Sequence, residues 1–343
     1  MNRAVTIPVF SSGATWLSVG QALAPGLLAS GVLAIAAAFL SQHYGAPVML
    51  LALLLGMAMN FLSSEGRCVP GIEFTVRTVL RCGVALLGLR ITLAQIAALG
   101  WQPVLLVLLS VALTISSGMI AARMLGFRTG FGLLSGGATA ICGASAALAI
   151  AAALPNHPMK ERALLFTVLG VSALSSLAMI TYPMLTHAIG LDAKEAGVFL
   201  GATIHDVAQV VGAGYSISPE TGDVATVVKL MRVAMLMPVI AITVMSYRHA
   251  GAEPGTKRPP PLPGFVVAFA GFALLHSFNV IPSGLVALGS DVSQWCLVAA
   301  VAALGTKTRL RELASVGFKP VALMIGETVF LMLLALVLLH VNI

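Results

Sequence analysis

Charge is what this chain has least of. Only 9% of its 343 residues are Asp, Glu, Lys or Arg, whereas about a quarter of a soluble globular protein is charged. The shortage excludes an ordinary soluble domain. Basic runs are missing as well. The net charge is +7, but Lys and Arg stand singly between apolar segments with no interleaved aromatics, so nothing points to nucleic acid. The four cysteines, Cys68, Cys82, Cys142 and Cys296, lie far apart without a C-x-x-C pair. That pattern gives neither a disulfide framework nor a zinc site. No H-E-x-x-H, G-x-S-x-G or G-x-x-x-x-G-K-[ST] sequence is present, which removes the zinc-protease, serine-hydrolase and phosphate-loop readings and, with the last, direct drive by ATP. Gly212-Ala-Gly214 lacks the third glycine and the following helix of a dinucleotide site. Cys142, His205 and Asp206 are a thiol, a base and an acid, but such sets are defined by geometry and spacing does not assemble them. The sequence therefore indicates no enzyme, no cofactor and no bound metal.

What the chain has in abundance is apolar length. Hydrophobic residues make up 59% of it, and the mean hydropathy is +1.01. A membrane-crossing helix needs about 20 apolar residues, and the chain holds about nine to eleven such stretches. They run over residues 22–41, 46–62, 74–91, 101–122, 132–153, 163–189, 196–214, 224–247, 264–279, 290–305 and 320–341. The fold class expected is all-α and polytopic, with the lipid bilayer as its first partner. The run at 22–41 lacks a cleavage site and is long enough to remain as a helix, so no signal peptide is assigned. Residues 1–343 read as a single transmembrane transporter domain. Its one notable linker is the Pro-rich stretch Gly251–Pro263, taken as a cytoplasmic connection.

An internal repeat is visible. Residues 85–104 align without gaps on 302–321: Ala85, Leu87, Gly88, Leu93, Ala97, Gly100, Pro103 and Val104 recur as Ala302, Leu304, Gly305, Leu310, Ala314, Gly317, Pro320 and Val321. The number of crossings between the copies is odd whether 132–153 and 196–214 cross or are re-entrant, so the copies should be inverted. Inverted repeats are the usual architecture of ion-coupled carriers. Placing Lys257, Arg258, Lys307, Arg309 and Arg311 in the cytoplasm puts the N-terminus inside and the C-terminus outside.

Two stretches stand apart from the rest. Ser135–Pro155 opens on Gly, Ala, Ser, Thr and Cys. Gly136, Gly137 and Gly143 would let the backbone unwind, and Thr139, Cys142 and Ser145 recur every three residues as if on one side of a turn. A half-helix starting there aims free N–H groups and a positive dipole end at an anion; the plainer alternative is close packing of helices through small residues. The second stretch, Gly201–Gly214, places His205, Asp206 and Gln209 in an otherwise apolar run. Charge at membrane depth costs several kcal/mol unless paired or hydrated, which makes these functional candidates or else a structural ion pair. His205 and Gln209, four apart, are expected on one helical face. Lys229 and Arg232 follow, three apart and on one side. Glu327 and Arg81 are candidates for the transport path, or else for a pair or for interfacial positions, and His276 and Asn279 for helix-end or interfacial roles.

The motifs GGATAICGASA, GATIHDVAQVVGAG and VVKLMRVAMLMP, with the GLRITLAQIAALG repeat, strongly resemble the YeiH-type family of predicted sulfate exporters. The resemblance covers nearly the whole chain from about residue 22. It implies a bacterial inner-membrane protein with distant kinship to sodium–proton antiporters and bile-acid symporters, whose folds use inverted repeats and discontinuous helices. Its characteristic positions fall on Cys142, Gly143, Ser145, His205, Asp206, Gln209, Lys229 and Arg232. The expectation is a secondary carrier of a small anion, a sulfur oxyanion or sulfonate first, coupled to H⁺ or Na⁺. Gly137, Thr139, Cys142, Gly143, Ser145, Gln209, Lys229 and Arg232 would hold the substrate, and His205 and Asp206 would handle the coupling ion. An anion channel and a cation–proton antiporter are the alternatives. Dimers are common in this architecture, though no motif specifies one.

Overall fold

The computed structural model describes residues 16–64, 66–155, 157–247, 263–308 and 317–341. Among the described residues the chain is helical, with no strand. In order, α1 is Trp16–Tyr44, α2 Val48–Ala58, α3 Val69–Phe74 and α4 Leu80–Leu87. α5 is Leu93–Ala98, α6 Gln102–Met124, α7 Thr129–Ala140 and α8 Ala144–Ala153. α9 is Lys160–Ala188, α10 Ala193–Thr203, α11 Val207–Ile217 and α12 Pro219–Ala234. α13 is Leu236–Tyr247, α14 Gly264–Ser277, α15 Ser283–Lys307 and α16 Phe318–His340.

Among the described residues, six helical spans are long and apolar enough to cross a membrane: Val19–Tyr44, Gln102–Met124, Lys160–Ala188, Pro219–Tyr247, Ser283–Lys307 and Phe318–His340. At 1.5 Å per residue a 23-residue helix such as α6 is about 35 Å long, enough for a hydrocarbon core of about 30 Å. The protein is therefore a multi-pass, all-α membrane protein. Exposed Leu28, Ile35, Phe39, Leu165, Met184 and Leu333 are what lipid-facing helices carry.

The ends of the helices follow local chemistry. α5, which hydropathy does not reveal, starts with a capping box in which Thr92 and Gln95 exchange side-chain and backbone bonds; α10 starts the same way with Asp192 and Glu195. Each pair satisfies two N–H groups that a helix start leaves without partners. α12 begins with Ser218 as cap and Pro219 in the first position. The apolar segment at 74–91 starts earlier than its hydropathy suggests, at Val69, and passes through a wider turn at Thr75–Val79. Asn279, at φ 55°, closes α14, in keeping with a helix-end role.

The chain forms two compact units: residues 1–84 with 291–308, and residues 85–290 with 309–343. In the first, α1 packs on α2 and α3. In the second, α7 lies along α6, α12 lies against both α10 and α11, and α16 packs on α6, α7, α9 and α10. The two sequence repeats share a local form. Gly100 (φ 78°) and Gly317 (φ 95°) each precede an exposed aromatic, Trp101 or Phe318, and a 23-residue helix, α6 or α16. The Pro-rich linker lies mostly outside the described residues, as do 309–316 of the second repeat.

Candidate functional site

The second unit contains two interrupted helices. The first break separates α7 from α8. Ile141, Cys142 and Gly143 leave the helix, and Gly143 adopts φ 64° and ψ −128°, a conformation essentially reserved for glycine. Its N–H still reaches back to the Ala138 carbonyl at 2.8 Å, closing off the end of α7. α8 then begins without a side-chain cap, so its first-turn N–H groups lie outside the helical ladder. Ser145 at this start is exposed and Ala144 half-buried.

The second break separates α10 from α11. Ile204 and Asp206 are extended, at φ −67° ψ 137° and φ −97° ψ 144°. Asp206 caps α11, its Oδ1 accepting from the Ala208 N–H at 2.8 Å, and its own N–H donates to Ser175 Oγ on α9 at 3.0 Å. The Asp206 side chain is half-buried, whereas His205 is fully buried.

α12 ties the two breaks together. It can do so because Gly201 and Gly214 let it approach closely: a Cβ on Gly201 would lie 2.8 Å from Val228 Cβ, and one on Gly214 2.8 Å from Gly222 Cα. From this helix, Arg232 donates from Nε to the Ala140 carbonyl (2.8 Å) and from Nη2 to Thr139 (2.9 Å), while Nη1 reaches Gly201 (3.1 Å) and Ile204 (3.0 Å). Lys229 Nζ donates to Ile141 (2.6 Å) and Ile204 (2.9 Å) and to the His205 carbonyl. Both cations are 0% exposed. Helix ends leave carbonyls unpaired and carry partial negative charge. Lys229 and Arg232 satisfy those carbonyls on α7 and α10 at once.

Glu327 and three hydroxyl residues, Ser135, Ser176 and Thr328, join the site beside the residues assigned to substrate and coupling ion. Glu327, on α16 and 3% exposed, accepts from Ser135 Oγ at 2.7 Å and from Thr139 Oγ1 at 3.3 Å. Thr328 Oγ1 meets His205 Nε2 at 3.1 Å, while His205 Nδ1 meets the Thr139 carbonyl at 3.0 Å. On α9, Ser176 Oγ accepts from Gln209 Nε2 at 2.7 Å; the Gln209 Oε1 is buried without a hydrogen-bond partner.

The breaks in 132–153 and 196–214 lie where small residues and glycine foretell them, and Thr139, Cys142, Gly143, His205, Lys229 and Arg232 meet around them. Several local expectations change. Thr139, Cys142 and Ser145 do not share a helical side, because the helix ends after Ala140 and restarts at Ala144. Gly136 and Gly137 remain inside regular α7; the former serves packing, since a Cβ there would lie 3.2 Å from Ile115 Cα. His205 and Gln209 do not share a face, because residue 205 is in the extended break and residue 209 is inside α11. Glu327 takes hydroxyl partners in place of a guanidinium. Its signal, one acid in the apolar run IGETVF, was visible; Ser135, Ser176 and Thr328 carried none, since Ser and Thr are common in membrane helices.

A family described as conserved hypothetical protein 698 matches residues 25–324. The chain is 54% identical to a UPF0324 membrane protein of Chlorobaculum tepidum, over 91% of this chain and 88% of that one. It is 52% identical to the UPF0324 membrane protein TauZ of Paracoccus denitrificans, over 94% and 96% of the two chains. A UPF0324 membrane protein of Rhizobium meliloti is 52% identical over 90% of each. No solved structure matches.

Proposed function

The chain belongs to the UPF0324 membrane protein family, in accord with its YeiH-type motifs, and on that premise we propose that it is a secondary active transporter of a small anion. Sulfate or another sulfur oxyanion or sulfonate comes first, driven by H⁺ or Na⁺ through alternating access. One observation carries the reading: two interrupted helices whose broken ends are bound to each other by Lys229 and Arg232 inside an apolar bundle. Non-helical backbone at membrane depth is tolerated only where it is buried in protein or lines a cavity, and paired discontinuous helices are how carriers build their sites.

The roles follow from the contacts. The uncapped start of α8, with Gly143 and Ser145, offers N–H groups and a positive dipole end to the anion. Gly137, Thr139 and Cys142 are assigned to the same substrate site. All three Lys229 protons are used on carbonyls, so Lys229, with Arg232, supplies positive potential and holds the breaks in register. His205 and Asp206 handle the coupling ion, and the open Gln209 Oε1 accepts a donor from the ligand or contacts Na⁺. The protein sits in a bacterial inner membrane with its N-terminus cytoplasmic and C-terminus outside, its repeats inverted, as a monomer or homodimer. The full use of Lys229 by carbonyls, beside the carboxyls of Asp206 and Glu327, also favours a second reading, a cation–proton antiporter.

Thermal stability of the purified protein separates these readings. A ligand that binds only the folded state at 100 times its Kd stabilises by about 2.7 kcal/mol. Sulfate, sulfite, thiosulfate or taurine is expected to raise Tm, with Na⁺ or pH changing the size of the rise. A response to Na⁺ or pH alone, with every anion silent, would move the assignment to the antiporter.

A further inference from the structure

We infer that Glu327 is the group that takes up and releases the transported proton, with His205 as its linked partner. This rests on the carrier reading and reassigns the coupling proton within it.

Glu327 is the tenth residue of α16, about 14 Å from its start at 1.5 Å per residue, and so close to the middle of a core about 30 Å thick. Its Oε1 occupies space left by a missing side chain on α6, since a Cβ on Gly118 would lie 2.5 Å from it. The elements packed on α16 each bring their own neighbours to it. α6 brings Gly118, α7 brings the hydroxyls of Ser135 and Thr139, and α9 brings Gly170 against Met324. The residues after α10 bring His205, through Thr328. Lys229 and Arg232 lie beyond, bonded to the carbonyls of the breaks. Among the described residues, Glu327 has no ion-pair partner within 4.0 Å. An ionised carboxylate without a cation is expensive at this depth, whereas the same side chain with a proton is a neutral hydrogen-bonding group. A buried acid in that position changes its charge at the least structural cost by exchanging a proton.

The link to His205 runs through two residues. Thr139 gives its hydroxyl to Glu327 and its carbonyl to His205 Nδ1. A carbonyl only accepts, so Nδ1 carries a hydrogen. Thr328, next to Glu327, contacts His205 Nε2 and also reaches the Met324 carbonyl at 2.8 Å. Its single hydroxyl proton can point to Nε2, leaving a neutral imidazole, or to Met324, leaving room for Nε2 to donate. Both protonation states of His205 fit without moving a heavy atom. In the cycle, a proton from water on one side adds to a carboxylate oxygen of Glu327. It leaves to water on the other side once access has alternated, restoring the carboxylate.

The test is uptake of labelled sulfate, thiosulfate and taurine into proteoliposomes under an imposed proton gradient, with anion exchange at uniform pH measured in parallel. Wild type is expected to accumulate at least one of these anions against its gradient. Glu327→Gln, which keeps the shape and an acceptor oxygen, is expected to lose proton-driven accumulation and its pH dependence while anion exchange persists. Glu327→Asp, which keeps the acid, is expected to restore part of the accumulation, an outcome that a purely structural role would not produce. Proton-driven accumulation by Glu327→Gln equal to wild type overturns the inference alone. If Glu327→Gln does not fold, the aspartate variant decides: accumulation with wild-type pH dependence overturns the inference, and a shifted pH dependence supports it. Absence of flux in wild type overturns the carrier reading and the inference with it.

Discussion

Arg232→Ala is expected to yield a protein that is strongly destabilised and inactive. The guanidinium bonds four carbonyls on two different half-helices; Thr139 keeps His205 and Ile204 keeps Lys229 as a donor, and each buried acceptor left without one costs about 1–3 kcal/mol. Relaxation will recover part of that, since such contributions do not add, but a loss of at least about 2 kcal/mol is expected. A shift of that size shows as a lowered Tm in detergent. Arg232→Lys should not rescue it. An ammonium is a compact charge with three donors and cannot span the same four oxygens in a fork. Lys229→Met, which takes the Lys229 donor from the Ile141 and His205 carbonyls and one of two donors from Ile204, is expected to behave similarly. Wild-type stability in Arg232→Ala would mean that the two cations are spectators of the breaks.

Asp206→Asn separates coupling from folding. Asparagine and aspartate cap helices almost equally well, whereas alanine costs about 0.5–2 kcal/mol. Asp206→Asn should therefore keep the α11 cap that Asp206 makes with the Ala208 N–H and melt close to wild type, while Asp206→Ala melts lower. Gradient-driven uptake by Asp206→Asn is expected to fall about tenfold or more, equivalent to about 1.4 kcal/mol. An anion channel would leave flux through Asp206→Asn intact, and so would a carrier whose proton is handled by Glu327 alone; intact flux in both Asp206→Asn and Glu327→Gln would decide for the channel.

Hydropathy made the membrane class and most of the helices legible, because the solvent constraint acts on whole segments of about 20 residues. The breaks were legible as well. Gly143 sits where only glycine tolerates the backbone, and His205-Asp206 is a polar pair that a continuous lipid-facing helix would not hold. The contacts around the breaks were not legible. Reading Thr139, Cys142 and Ser145 as one row assumed a continuous helix, which the break itself removes. Lys229 and Arg232 looked like open anion ligands because their partners are backbone carbonyls, groups that every residue has and no sequence marks. Glu327 was visible as an isolated acid. Its link to His205 depends on the packing of α16 against α7 and α10, which joins residues 188 and 123 positions apart.

The central claim is that the start of α8 faces the path of the anion, and Ser145 reports on it most directly because it is exposed there. The measurement is labelling of Ser145→Cys by a membrane-impermeant thiol reagent in vesicles, with Cys68, Cys82, Cys142 and Cys296 replaced. Ser145→Cys is expected to label from water, and saturating sulfate, or whichever panel anion stabilises the protein, to slow the labelling. Labelling at one rate with or without every anion, or no labelling from either side of the membrane, would contradict it.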